Sequence, residues 1–197
     1  MLIARHATLV ALPALLVFGL TGCALVTASG SNEAPTAMQA CAMGHTWTLD
    51  TKDLSSQISA DLKTRNLPVT NVETTGTQTL KWGVDGTVTN TADYTIVATV
   101  TTAPEAVSTV TQVYKVTATG RAFISSDVAI PRDWQESGKK LTQVGSLNGA
   151  VDDPLPFPIL ATAFDDAVGL ELTCDGKTLT THARGIGTAK LSWTKSD

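Results

Sequence analysis

Three cysteines, three histidines and two pairs of adjacent aspartates are the residues of this 197-residue chain whose chemistry goes beyond packing. The cysteines stand at 23, 41 and 174 and the histidines at 6, 45 and 182. A thiolate can be acylated or alkylated, oxidised to a disulfide, bound to a metal or used as a nucleophile. Cys174 and His182 sit either side of an expected hairpin, but a Cys/His nucleophile needs a free thiol. A zinc site needs three or four ligands, which His45, His182 and a bonded pair of cysteines do not supply. Asp152-Asp153 and Asp165-Asp166 bracket the stretch DDPLPFPILATAFDDA. Their carboxylates could surround a hard cation, yet the spacing lacks the alternation of a calcium loop. Solvated turn residues and helix caps are their other role. A hydrolase would have to draw its carboxylates from this acidic stretch, 152–166. Cleaving glycosides there would call for an aromatic-rich cleft, and aromatics are 5% of the chain. No G-x-S-x-G, S-x-x-K or phosphate-cradling glycine loop occurs. The sequence therefore assigns no catalytic residue, metal or cofactor.

Cys23 has a different context. Arg5 gives the chain a positive start, and Ala7 to Leu20 is free of charge. That run is shorter than the roughly 20 apolar residues of a spanning helix and fits a secretory h-region. It ends in Leu20-Thr21-Gly22-Cys23. This motif resembles the lipobox of bacterial lipoproteins: an aliphatic residue, two small or polar ones, then cysteine. The resemblance implies a diacylglycerol on the Cys23 sulfur, cleavage just before it, and a chain held on the extracytoplasmic face of the cell membrane. Acyl chains contribute about 0.8 kcal/mol per buried methylene, and two of them anchor stably where one does not. The alternatives are an ordinary signal peptide with an incidental cysteine, and an uncleaved anchor running on through Ala24-Leu25-Val26. Residues 24–40 are small and polar and read as a flexible tether between the lipidated Cys23 and a single domain over 41–197.

Removing residues 1–22 takes away one charge, Arg5, and leaves 13 basic and 18 acidic residues, a net −5. The basic residues are scattered, without a cluster among aromatics, so nucleic acid is not an expected partner. Nor is electrostatic docking to an anionic bilayer, which leaves anchoring to the lipid. In an oxidising compartment Cys41 and Cys174 are expected to pair; the alternative is two separate buried thiols. Such a bridge would close a loop of roughly 130 residues and stabilise by at most about 5 kcal/mol.

The elements that must hold these residues are mostly strands. The chain has 32 threonines, and β-branched residues favour the pleated, half-buried surface of a sheet. One early helix is expected over about 51–65, with Asp50 as its N-cap, Leu54, Ile58 and Leu62 on one face, and Asn66-Leu67-Pro68 as its stop. Period-two patterning then predicts a strand over about 72–84, a two-residue hairpin at Asp85-Gly86, and long strands through Tyr94–Thr101 and Thr109–Ala118. Gly120 sits where a long strand would bend, and Ser125-Ser126-Asp127 turns the chain. Residues 131–166 read as less regular, with one strand over 140–147 and a proline-rich loop or short helix over 152–167. The end returns to strands at 169–174, 177–182 and 188–194, with a hairpin at Asp175-Gly176.

The fold expected is mainly β: eight or nine antiparallel strands in a meander that closes into a barrel or strongly curved sheet, which leaves few exposed edges. Gly44 to Trp47, a Gly-x-x-Trp ahead of the strands, together with the meander resembles the lipocalin-like (calycin) barrels. That resemblance implies a small apolar ligand held inside. Trp47, Trp82, Tyr94, Tyr114 and Trp193 are the candidates to line such a pocket or to fill the core, and the tryptophans in such a ring more often fill it. Two roles follow: a non-catalytic binding module that meets a small apolar ligand or an envelope protein, or a structural lipoprotein with a filled barrel.

Overall fold

The computed structural model describes residues 34–103, 106–152, 169–184 and 190–196. One compact unit runs from Ala34 to Asp197. Its elements are α1 (Ala37–Ala42), β1 (His45–Leu49), α2 (Thr51–Thr64), β2 (Val69–Trp82), β3 (Thr87–Ala103), β4 (Ala106–Ser125), β5 (Val128–Leu147), β6 (Ala150–Asp152), β7 (Leu170–Cys174), β8 (Thr178–Ala183) and β9 (Lys190–Lys195). Every strand pairing is antiparallel. From β1 each strand pairs with the next through β5, then β7, β8 and β9, and β9 returns to β1. Eight strands thus close in a ring as a meander, and β6 pairs with the end of β5.

The strands are unequal, and this shapes the ring. β3, β4 and β5 are 17, 20 and 20 residues long, whereas β1, β7, β8 and β9 have five or six. β7 meets β5 only at Val128↔Glu171 and Ala129↔Leu170. The ring is therefore closed at one end, and the four long strands β2–β5 run on beyond it as an open sheet. Along β3 the alternation is strict. Val88, Asn90, Ala92, Tyr94, Ile96, Ala98 and Val100 are buried, while most of the intervening positions are threonine.

Helix α2 forms as the sequence indicates. The Asp50 carboxylate accepts from the Lys52 and Asp53 backbone N–H groups at 3.0 Å each, and Asn66 beyond the C-terminus has φ 59°. The stripe Leu54, Ile58 and Leu62 is buried in one core with Val69, Tyr94 and Ile96. Gln57 fixes the helix to β9 by accepting from Lys190 N at 2.7 Å.

The structure differs from the sequence reading in several places. Residues 131–139 are not irregular: they continue the strand expected over 140–147, and both lie in β5, one strand from Val128 to Leu147. Its polar run from Arg132 to Lys140 is mostly exposed, so no alternation of burial appears there, and left-handed Asp133 and Gly138 interrupt its regularity. The connection at Asp85-Gly86 is a four-residue loop, Gly83 to Gly86, closed by Gly83 N donating to Thr87 O at 2.7 Å. Residues 37–40, read as tether, lie in α1, which opens with a capping box between Thr36 and Gln39. As the bend read at Gly120 implies, one long strand, β4, passes through it, with a register shift between Thr119 and Arg121. A Cβ at Gly120 would overlap the Trp134 ring and the Arg132 carbonyl, so the backbones approach there as only glycine allows.

Candidate functional site

Cys23 and the run before it lie outside the described residues, as do Asp153, Asp165 and Asp166; Asp152 ends β6. The other residues singled out above fall into two groups.

The first group fills the closed end of the ring. Trp47 on β1, Trp82 on β2 and Trp193 on β9 are fully buried, together with Leu80 and Leu179. Trp47 Nε1 donates to Ala42 O at 2.9 Å, and Trp193 Nε1 donates to Thr181 Oγ1 at 3.0 Å, so two of the three indoles place their polar edge on a partner. The Cys41–Cys174 disulfide ties α1 to β7 here, with Cα atoms 6.1 Å apart. Cys174 is therefore no nucleophile. His182 Nδ1 lies 3.4 Å from Glu171 Oε2, and Arg184 Nε donates to Glu171 Oε1 at 3.2 Å, forming an exposed cluster on the β7–β8 hairpin. His45 meets Trp47 edge-on at 6.0 Å and accepts from the Lys195 ammonium at 3.2 Å. Among the described residues no group of three or more His, Cys, Asp and Glu is placed to hold a metal ion.

The second group lies on the inner face of the open sheet. Tyr94 and Tyr114 are cross-strand partners, with rings tilted by 44° and centroids 5.4 Å apart. Gly76 is the partner of Tyr94 on β2; with φ +104°, it has no room for a Cβ against the Asp93 carbonyl and the Tyr94 backbone. Around this pair the face is partly polar. Gln78 Nε2 donates to Asn90 Oδ1 at 3.0 Å, and Gln112 Nε2 donates to Gln143 Oε1 at 2.7 Å. Gln78 Oε1 and Thr74 Oγ1 are buried without a hydrogen-bond partner among the described residues.

Perturbed titrations belong to two turns and to the exposed middle of β5 rather than to either group. Hydrogen bonds from the Thr87 side chain and backbone hold the Asp85 carboxyl below its ordinary value. Backbone N–H groups of Thr178 and Lys177 do the same for Asp175. A hydrogen bond to Glu136 raises Lys139.

A third set of residues was invisible along the sequence. On the outer face of the closed end, Phe123 of β4 is paired directly with Ile130 of β5, and on the next outward rung Arg121 is paired with Arg132. The signal was present in the two-residue turn at Ser126-Asp127, because pairing Ser125 with Val128 fixes the rungs as far as Arg121↔Arg132, where the register shifts.

Among the described residues no helix is long and apolar enough to cross a membrane. No protein-family model matches the chain, and no curated protein matches it.

Proposed function

We propose that this protein is a lipoprotein of the cell envelope, anchored through acyl chains on Cys23 to the extracytoplasmic face of the membrane, and that it works as a non-catalytic binding module through its outer surface. The observation that carries the outward-acting part is the filling of the ring by Trp47, Trp82 and Trp193, all fully buried. A ring packed with indoles leaves its polar and apolar outer walls as the surfaces for a partner. The Leu20-Thr21-Gly22-Cys23 motif supports the anchor, and the oxidising compartment it implies agrees with the Cys41–Cys174 disulfide.

A second reading keeps a small, largely apolar ligand on the inner face of the open sheet. It is favoured by the Tyr94–Tyr114 pair and by the buried, unpartnered oxygens of Gln78 and Thr74, which a ligand hydroxyl or an ordered water would satisfy.

The anchor is tested by fractionating cells that express the natural chain or Cys23→Ser. The natural protein should sediment with membranes and enter the detergent phase, and the variant should remain unprocessed or be shed. Equal membrane retention of both would refute the anchor.

A further inference from the structure

We infer that the outer wall carrying Phe123, Ile130, Arg121 and Arg132 lies against the bilayer to which the protein is anchored. The inference rests on the anchor proposed above but has its own test.

Three observations converge on this wall. Phe123 and Ile130 are 48% and 41% exposed and are opposed on neighbouring strands, so two large apolar side chains meet on the outer wall of the closed end, whereas the exposed Val107, Leu141, Val144 and Leu147 lie along the open sheet. Arg121 and Arg132 are opposed on the adjoining rung. Like charges directly across a sheet repel, and among the described residues neither guanidinium forms an ion pair. An anion seated between them would remove that repulsion, and phosphate suits the planar guanidinium fork. The Arg121 guanidinium also lies 5.3 Å from the centre of the Phe123 ring, so apolar and cationic groups form one patch.

The third observation selects the occupant. The side chain of Gln39 in α1 donates to the Ile124 carbonyl at 3.1 Å, so the start of the compact unit is fixed to β4 one residue from Phe123. Ten residues lie between Cys23 and Ala34, and the eleven steps, fully extended, reach at most about 40 Å. Acyl chains on Cys23 would therefore tether the protein from this end of the ring, within about 40 Å of the headgroups, so that a contact made here needs no extension of the tether. An aromatic and an aliphatic side chain beside two guanidiniums match an interface in which rings enter the acyl boundary and cations stay with phosphates.

Asp127 and Asp133 neighbour the patch in sequence, and the Asp85 carbonyl accepts from Arg121 Nη2 at 3.4 Å. Long-range attraction to an anionic surface is thereby weakened, so the apolar pair carries the contact and the arginines orient it. Salt should affect it little.

The test uses the full acylated chain in vesicles of phosphatidylethanolamine and phosphatidylglycerol. With Cys23 acylated and Cys41 bonded to Cys174, a cysteine introduced at Phe123→Cys, at Ile130→Cys or, as a control on the exposed outer face of β3, at Thr91→Cys is the only free thiol for a nitroxide label. Labels at 123 and 130 should be several-fold more accessible to oxygen than to a water-soluble nickel chelate, compared with the label at 91. Arg121→Gln combined with Arg132→Gln should leave vesicle retention unchanged and reduce the depth of the label at 123. Equal accessibility at 123 and 91 in a preparation whose mass shows the acyl chains would overturn the docking while sparing the anchor. Shielding of the label at 123 from both quenchers, as under a second protein, would also overturn it. A mass without acyl chains would refute the anchor itself and remove the ground for docking.

Discussion

At the closed end of the ring, eight strands surround Trp47, Trp82 and Trp193, and a disulfide fastens α1 to β7. Past Ala129 the strand β5 leaves β7, and it gains β6 only between Gly145 and Leu147. The same long strands thus serve two constructions. In one, every strand has a neighbour on both sides and two of three indoles are hydrogen-bonded. In the other, a four-stranded sheet depends on α2 and keeps amides, hydroxyls and the Tyr94–Tyr114 pair on its buried face. The contrast shows how ring closure and side-chain volume divide the work. Three large rings suffice to fill a short closed segment, while a longer sheet requires a helix laid against it.

Removing one of those rings should have the largest effect. Trp193→Ala is expected to cost about 3–5 kcal/mol and to lower protection from hydrogen exchange throughout the unit; a loss under about 1 kcal/mol, or one confined to β8 and β9, would show that the closed end is not central. Reducing the disulfide comes next. The bond joins residues 133 apart in sequence, and its loss should lower stability by about 2–5 kcal/mol in denaturant titration. An unchanged midpoint with reductant would contradict that. Asp50→Ala removes the cap of α2 and should cost about 0.5–2 kcal/mol. Its signature is regional: amides of β2 and β3 in the open sheet should exchange faster while those of β8 do not.

The smallest effect should come from acid. Asp85 and Asp175 have carboxyls held below the ordinary 3.8 by turn hydrogen bonds. Because the folded value is the lower one, their contribution is complete above the unfolded value and is lost as pH falls through the folded one. Amide resonances of Thr87, Lys177 and Thr178 should therefore move below pH 3.8 without change in α2. Movement of α2 at the same pH would argue that the two ends are not separable.

Where local chemistry decided the structure, it was readable. Asp50, the stripe Leu54–Ile58–Leu62 and the left-handed Asn66 define α2 within a residue or two, and alternation marks β3 and β4. Gly120 was legible as a bend because a long threonine-valine strand contained one glycine. Three features were obscured for physical reasons. β5 is exposed through its middle, so no burial period marks Arg132–Lys140 as strand. The capping box Thr36-x-x-Gln39 was hidden by a composition that otherwise suits a tether. The Phe123–Ile130 and Arg121–Arg132 pairs exist only once register is fixed, since residues seven and eleven apart in the chain become neighbours through a hairpin. The candidate site was least legible of all. Trp47, Trp82 and Trp193 fit core filling better than pocket lining from their type alone, but only the closed ring places them together.

The central claim is that a filled β-ring is held to the membrane by lipid and acts through its outside. Native and intact mass spectrometry of the detergent-extracted protein from its own cells tests this most directly. The expected species is a chain beginning at Cys23, heavier by a diacylglycerol with or without a further acyl group, and carrying no other small molecule. An unmodified chain would contradict the anchor, and a stoichiometric small-molecule adduct would contradict action through the outer wall and favour a ligand on the inner face of the open sheet.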